Sequence, residues 1–167
     1  MKGGPRYHVK PRRHRQGRTD YRKRLKLLKS KKIRLVVRKS IKHTRVQFVK
    51  YDETGDRVLV QAFTKDLVKN YGWGYSTATT PAAYLTGLLA GKKAKDNNIS
   101  DVILDIGRNK PTKGSKLFAV LKGVLDAGVN CPHDPDMLPS LDRITGKHLK
   151  PELKSTVTDI KNKILGG

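Results

Sequence analysis

The fold is decided by residues 33–63, IRLVVRKSIKHTRVQFVKYDETGDRVLVQAF. Apolar residues alternate with basic ones around a β-branched run at 33–38, which is typical of a strand. Residues 46–51 predict a second strand. A turn cluster follows in which Gly55 can adopt a positive φ, and alternation then resumes through Val58, Val60 and Ala62 to Phe63. The stretch therefore predicts an antiparallel three-stranded meander.

The next segment predicts a long helix. Thr80 precedes Pro81 and is the predicted N-cap, because proline is favoured at the first helical position. The helix is expected to run to about Asn97, with Gly87 and Gly91 permitting close approach to whatever lies beneath it. Its predicted buried stripe consists of Leu85, Leu88 and Leu89.

The rest of the chain predicts one more strand and two helices. The continuous apolar run 102–106 is typical of a central strand covered on both sides. Ser115 opens a helix that Gly128 closes. Residues 130–140 predict a loop, and Pro151 opens an amphipathic helix with apolar positions at Leu153, Val157, Ile160 and Ile164. We therefore predict an α/β fold with packed helices on a mixed sheet, formed by the meander plus a central strand.

The positive charge is concentrated at one end of the chain. Residues 1–45 hold 19 of the 37 Lys and Arg residues and one acid, Asp20, so +18 of the net charge of +23 lies there. Cations at this density repel one another unless a polyanion lies between them. We divide the chain into an RNA-binding arm with a short helix at 1–32, an α/β body at 33–140 and a C-terminal segment at 141–167.

The arm itself has two parts. Residues 1–16 lack hydrophobic periodicity, which predicts an extended segment. Thr19 or Asp20 can cap a helix that follows. The stripe expected to dock this helix on the body consists of Tyr21, Leu25 and Leu28.

Nucleic acid is the polyanion that the sequence favours. A membrane-binding helix would carry Trp or Phe on its apolar side, and residues 1–32 contain neither. No apolar run approaches the roughly 18 residues of a membrane span. The single cysteine, Cys131, cannot form an internal disulfide, which predicts a reducing, cytoplasmic setting.

Catalytic and metal sites are weakly indicated. Cys131 and His133 lack the second pair of ligands that a structural zinc site needs. Asp66, Asp101 and Asp105 could form a carboxylate set for metal-dependent phosphodiester hydrolysis, which is the sharpest enzymatic alternative. We expect no catalytic residues, metal, cofactor or small-molecule substrate. A chromatin-type DNA binder is the other alternative, but neither a groove-reading helix nor a symmetric dimer surface is indicated.

Two loops have open interpretations. Residues 107–116 join a strand to a helix start, but their spacing does not match a phosphate loop. The backbone N–H groups of Gly114 to Lys116 could still favour a phosphate. The Gly-spaced aromatic residues Tyr71, Trp73 and Tyr75 could either stack on unpaired bases or cover an edge of the core.

Several segments in register resemble one known family. The chain resembles the family of large-subunit ribosomal protein eighteen, in its archaeal and eukaryotic form, over most of residues 4–149. Besides the basic arm, the segments that carry the resemblance are Arg18–Lys29, Val36–Ser40, Tyr84–Gly91, Leu104–Arg108 and Gly114–Ala119.

The resemblance implies a fold, a role and partners. The implied fold is a ribonuclease-H-like α/β body without catalysis. The implied role is that of a structural constituent of the large ribosomal subunit that binds 5S rRNA in the central protuberance. It also implies contacts with 23S rRNA and with large-subunit ribosomal protein five. The RNA-contacting positions that it implies are Arg6, Tyr7, Arg12, Arg13, Arg15, Arg18, Tyr21, Arg22, Arg24, Arg38, Lys39 and Lys42.

Overall fold

The computed structural model describes residues 4–166. Residues 1–3 of the predicted arm and residue 167 of the predicted C-terminal segment lie outside this range. The elements, in chain order, are α1 (Arg12–Arg15), α2 (Tyr21–Lys29), β1 (Ile33–Lys39), β2 (Thr44–Lys50), β3 (Arg57–Phe63), α3 (Thr64–Tyr71), α4 (Thr80–Asp96), β4 (Val102–Asp105), α5 (Lys116–Asp126), a 3-10 turn (Pro135–Met137), α6 (Leu141–Thr145) and α7 (Leu153–Gly166). In this range no helix is both long and apolar enough to cross a bilayer.

The strands form one mixed sheet in the order β3-β2-β1-β4. The meander is confirmed, since β1–β2 and β2–β3 pair antiparallel, while β4 pairs parallel with β1. The prediction that 102–106 forms a central strand is wrong. Beyond β4 there is a single bridge between Asp101 and Asn130, so β4 lies at the edge. A continuous apolar run indicates that both faces of a strand are covered. It does not indicate whether the strand has a neighbour on each side.

One face of the sheet carries the core, and a β-bulge shapes it. Phe48 pairs with Val60 but Val49 pairs with Val58, so Leu59 is the extra residue of β3. Such a bulge shifts the alternation by one residue. Val58, which was predicted to share a face with Val60, is therefore turned to the opposite side, with 47% of its surface exposed.

Helix α4 is the centre of the packing. It begins one residue earlier than predicted, with Thr79 as the N-cap and Pro81 at the second helical position. The predicted stripe of Leu85, Leu88 and Leu89 is buried, and so is every residue from Thr80 to Gly91. A helix buried on nearly all sides must contact neighbours on several faces. Sheet strands, α3, α5, α6 and α7 all pack against it.

Helices α4 and α5 meet backbone to backbone. A Cβ at Gly87 would lie 2.2 Å from the carbonyl oxygen of Val120, and a Cβ at Gly123 would lie 2.2 Å from that of Tyr84. The predicted role of Gly87 in close approach is therefore confirmed. At the rim of this contact the Tyr84 hydroxyl donates to Asp126 Oδ2 at 2.8 Å. Burial and the nearby carboxylate raise the pKa of Tyr84, so this proton stays in place.

The two remaining helices are confirmed, although α7 begins at Leu153 rather than at Pro151, where it was predicted to begin. Helix α5 follows its N-cap Ser115, and Gly128 beyond its end has a φ of +91°. The four apolar positions of α7 are buried in the core. Trp73 is 2% exposed and its Nε1 donates to the carbonyl of Ser76 at 3.4 Å, so this ring covers the core. The assignment to the ribonuclease-H-like class stays a prediction.

The close approach of α4 and α5 predicts that a side chain at position 87 destabilises the protein. Gly87→Ala should lower the free energy of unfolding by about 1–3 kcal/mol or more, because the new methyl group meets rigid backbone rather than a side chain that can move. Urea denaturation measures this change. The control is Gly74→Ala, where a Cβ meets nothing within 4 Å. A Gly87→Ala midpoint equal to that of the control would contradict the close packing.

Candidate nucleic-acid interface

The predicted contact residues lie on the surface. Of the twelve positions, Arg24 is half-buried and the other eleven are exposed. From residue 4 to the start of α2 the chain is irregular except for α1, a single helical turn after Pro11 that was not predicted. Its sequence, Arg12–Arg15, contains no apolar residue, so hydrophobic periodicity could not reveal it.

Helix α2 begins where it was predicted to begin but docks by a different face. Asp20 is the N-cap, and its Oδ1 accepts the N–H groups of Arg22 at 3.0 Å and Lys23 at 3.1 Å. The bond from Lys23 is the main reason that the pKa of Asp20 lies below its ordinary value. The predicted docking stripe is wrong in two of its three positions, since Leu25 and Tyr21 are 59% and 38% exposed.

The face of α2 that turns toward the body is formed by Arg24, Leu27 and Leu28, which are half-buried. These positions follow the spacing i, i+3, i+4 of a helix face. Arg24 sets the orientation, because its Nη2 lies 2.9 Å from Asp56 Oδ2 in the turn before β3. Sequence reasoning counted Arg24 as a phosphate contact and so omitted it from the docking stripe.

A chain of alternating charges continues from this contact across the sheet. Arg34, only 3% exposed, lies between two carboxylates: Nη2 is 2.7 Å from Asp56 Oδ2, and Nη1 is 3.2 Å from Asp105 Oδ2. Asp105 Oδ1 in turn accepts from Arg38 Nη2 at 3.0 Å. The Arg34–Asp56 contact is an ion pair whose angle lies outside that of a hydrogen bond, and Arg34 Nε has no partner in the described chain. The pair therefore acts mainly through charge.

The two arginines keep Asp56 ionised. Burial would raise the pKa of this carboxyl group, but the close contacts and positive charges of Arg34 and Arg24 outweigh it and hold the pKa below its ordinary value. Because the pKa is lowered on folding, the contact stabilises the docked helix fully at pH values above the ordinary pKa of aspartate. The contribution is lost as the pH falls through the folded-state pKa.

The three acids of the predicted nuclease set have separate structural roles. Asp66 accepts the N–H of Phe63 at 2.9 Å and caps α3, Asp101 accepts from Asn130 at 2.9 Å, and Asp105 holds two arginines. Asp105 also accepts the N–H of Gly107 at 2.8 Å. Across residues 4–166 no group of three His, Cys, Asp or Glu side chains could hold a metal ion.

Cys131 and His133 also have structural surroundings that do not favour a zinc site. Cys131 is buried, and burial raises the pKa of its thiol to about 11. His133 Nδ1 lies 2.8 Å from the carbonyl oxygen of Cys131 and so bonds to the backbone of its own loop. A protonated, buried thiol is a poor metal ligand.

Helix α2, the loop after β4 and the open face of the sheet enclose a cleft of about 690 Å³. Its apolar wall includes Val36, Val49, Val58 and Leu104. The cations that line it include Arg13, Arg18, Lys23, Lys26, Arg38 and Arg108. Arg108 also donates a hydrogen bond to the carbonyl of Gly17, which ties the arm to the loop after β4. Four of the predicted positions, Arg13, Arg18, Arg24 and Arg38, thus meet in one cleft.

Comparison with known proteins identifies the family. The family model described as "Ribosomal large subunit proteins 60S L5, and 50S L18" matches residues 5–102 and 93–134. The chain belongs to this family. The large ribosomal subunit protein uL18 of Korarchaeum cryptofilum is 55% identical over 144 residues, which are 86% of this chain and 73% of the relative. That of Haloarcula marismortui is 50% identical over 149 residues, 89% of this chain and 79% of the relative.

The uL18 relationship confirms the family that the sequence resembled. Members of this family are structural, RNA-binding constituents of the ribosome rather than enzymes, and the ribosome is cytoplasmic. The matched residues include α2 and the whole cleft, whereas α6 and α7 follow the matched range. The contact residues assigned by resemblance stay predictions.

The charge chain gives Asp105 a structural role that can be measured. Asp105→Asn should lower the free energy of unfolding by about 3 kcal/mol or more, because it leaves the buried Arg34 without one of its two carboxylates. Thermal and urea denaturation measure the loss. The matched control is Asp101→Asn, which alters an exposed carboxylate and should cost less than about 1 kcal/mol. Equal stability of the two variants would contradict the structural role.

Proposed function

We propose that this uL18-family protein binds 5S rRNA through its arm and the adjoining cleft, and helps to anchor 5S rRNA to 23S rRNA in the central protuberance. The observation that carries the proposal is the continuous cationic surface that runs from α1 along α2 to the cleft. Phosphate contacts of Arg and Lys supply most of the affinity in such an interface.

The charges of this surface favour a polyanion because its few acids are already engaged. Asp20 accepts N–H groups at the start of α2, while Asp56 and Asp105 are paired with arginines. The exposed cations of α1 have no carboxylate partner in the described residues. An incoming RNA backbone therefore meets positive charge that the protein does not neutralise itself.

The twelve predicted positions fit two kinds of contact. The exposed arginines of α1 and Arg22 of α2 suit bidentate contacts with phosphate oxygens, whereas Arg24 is already paired with Asp56. Tyr7, which is 64% exposed, and Tyr21 offer ring faces on which unpaired bases can stack. Lys39 and Lys42 flank the end of β1 and extend the surface past the cleft. Large-subunit ribosomal protein five is a further proposed partner, to which we assign no surface.

Salt dependence and a triple substitution test the proposal. Binding to 5S rRNA should weaken steeply with salt, with a log–log slope of at least about −4 in magnitude, because each neutralised phosphate releases counterions. Replacing Arg12, Arg13 and Arg15 together by Ala should weaken binding far more than any one replacement. Filter binding at several salt concentrations measures both effects.

The control for that triple variant removes the same charge elsewhere, at Lys150, Lys154 and Lys163, which are exposed near or on α7. This control should change the affinity little. A flat salt dependence, or equal losses in the two triple variants, would show that the arm is not the contact.

RNA binding should also order the arm. Residues 6–15 are exposed and bury no apolar side chain, so little holds their backbone in the free protein. Fixing each residue costs roughly 1–2 kcal/mol of backbone entropy, which many phosphate contacts must offset together. Hydrogen exchange measures this ordering: amides of residues 6–18 should exchange freely without 5S rRNA and become protected with it. Strong protection in the RNA-free protein would contradict coupled ordering.

A further inference from the structure

A second cationic pocket lies at the end of β1 and shares no lining residue with the cleft. It encloses about 360 Å³ and contains no Asp or Glu among its lining residues, which are Lys39, Ala78, Thr79, Thr80, Gly114, Ser115, Lys116, Arg143, His148 and Leu149. Strand β1 ends at Lys39 and is paired in parallel with β4. Ligands of α/β sheets commonly bind beyond the carboxyl ends of parallel strands.

Two helices begin at this pocket. Thr79 is the N-cap residue of α4, of 17 residues, and Ser115 occupies the N-cap position of α5, of 11 residues. The N–H groups of the first helical residues, Thr80 and Lys116, cannot bond within their own helices, and both helix dipoles place partial positive charge here. Lys116 Nζ donates to the carbonyl of Ala78 at 2.8 Å and so joins the two helix starts.

Only part of the loop at 107–116 can donate backbone N–H groups to a ligand in this pocket. The N–H of Gly114 donates to the Met137 carbonyl at 3.0 Å, and that of Ser115 donates to the Thr112 carbonyl at 3.2 Å. Of the three N–H groups that sequence reasoning proposed, Lys116 alone remains available. Thr80, from a helix more than 30 residues earlier in the chain, supplies a second one that the sequence did not indicate.

The hydroxyl of Ser115 has no hydrogen-bond partner in the described chain, and the residue lines the pocket. An N-cap side chain normally accepts an N–H of the first helical turn, as Thr79 Oγ1 does from Ala82 at 3.4 Å. Ser115 makes no such bond, and its Oγ is shielded from solvent without a partner in the described chain. An unpaired buried hydroxyl lowers stability, and a rotation about χ1 that brings it to a hydrogen-bonding ligand in the pocket would offset that cost.

Cations from two further elements complete the site. Lys39 ends β1 and Arg143 lies in α6, and neither forms an ion pair within residues 4–166. His148 follows α6 and adds an imidazole that can donate a hydrogen bond. The pocket thus combines unneutralised side-chain charge with two helix starts, an arrangement that suits an anion with several oxygen atoms.

We propose that this pocket binds a phosphate group of an RNA backbone, as a second contact beside the arm. The inference rests on the proposed function for the source of that phosphate. Lys39 directly follows Arg38, which lines the cleft, so the two cavities flank the end of β1 and one RNA molecule can reach both. A backbone phosphate would accept from the Thr80 and Lys116 N–H groups and pair with Lys39 and Arg143.

The first experiment uses inorganic phosphate as the probe on the full chain. In ¹H–¹⁵N spectra at constant ionic strength, phosphate should shift the amide resonances of Thr80 and Lys116, and Arg143→Gln should weaken this response. Lys147→Gln is the matched control, because Lys147 is exposed and lies outside the pocket. Absence of a response in the unmodified protein, or equal responses in both variants, would overturn the site.

The second experiment identifies the source of the phosphate, using 5S rRNA and 23S rRNA separately. Arg143→Gln should lower the affinity for at least one of them by about fivefold or more and reduce the salt slope by about one, whereas Lys147→Gln should not. If phosphate shifts the pocket amides but Arg143→Gln leaves both affinities unchanged, the RNA source is overturned. If the unmodified protein binds neither RNA, the proposed function fails too, while the phosphate response still reports on the pocket.

Discussion

The buried guanidinium of Arg34 is the constraint on which the functional face of this protein depends. A charge removed from water is strongly unfavourable unless carboxylates and hydrogen bonds compensate for it. Arg34 lies in β1, and its partners come from the turn before β3 and from the end of β4. One side chain therefore fixes the relation between the meander, the edge strand and, through Asp56, the helix that bears the predicted RNA contacts. Helix α2 is thus positioned by charges that also line the cleft.

Local features of the sequence predicted most of the fold. The stripe of α4, the N-cap of α2 and the apolar positions of α7 all depend on residues close together in the chain, where spacing determines which face is buried. Gly87 was recognised because a glycine inside a strong helix needs a packing reason. The strong concentration of cations before residue 46 also predicted the class of ligand, since such a charge has few structural uses.

Features that depend on distant residues were not predicted. Asp105 is 71 residues from Arg34 and 67 from Arg38, so nothing local distinguished a structural ion pair from a catalytic carboxylate. The edge position of β4 and the docking face of α2 are likewise set by tertiary contacts. The second pocket joins β1, α4, α5 and α6, of which the sequence indicated a single loop. Isolated cations on helices, such as Arg143, give no signal of the site that they share until the fold brings them together.

The bulge in β3 has a consequence for how this chain behaves before it meets RNA. In residues 4–166, β3 forms a free edge of the sheet. A flat edge strand exposes unpaired N–H and C=O groups that can pair with a strand of another molecule, which is a route to aggregation. The extra residue Leu59 bends and twists this edge, and the charge of Arg57 lies at its beginning. The irregularity that turns Val58 toward the cleft thus also makes the free edge at β3 a poor template for self-association.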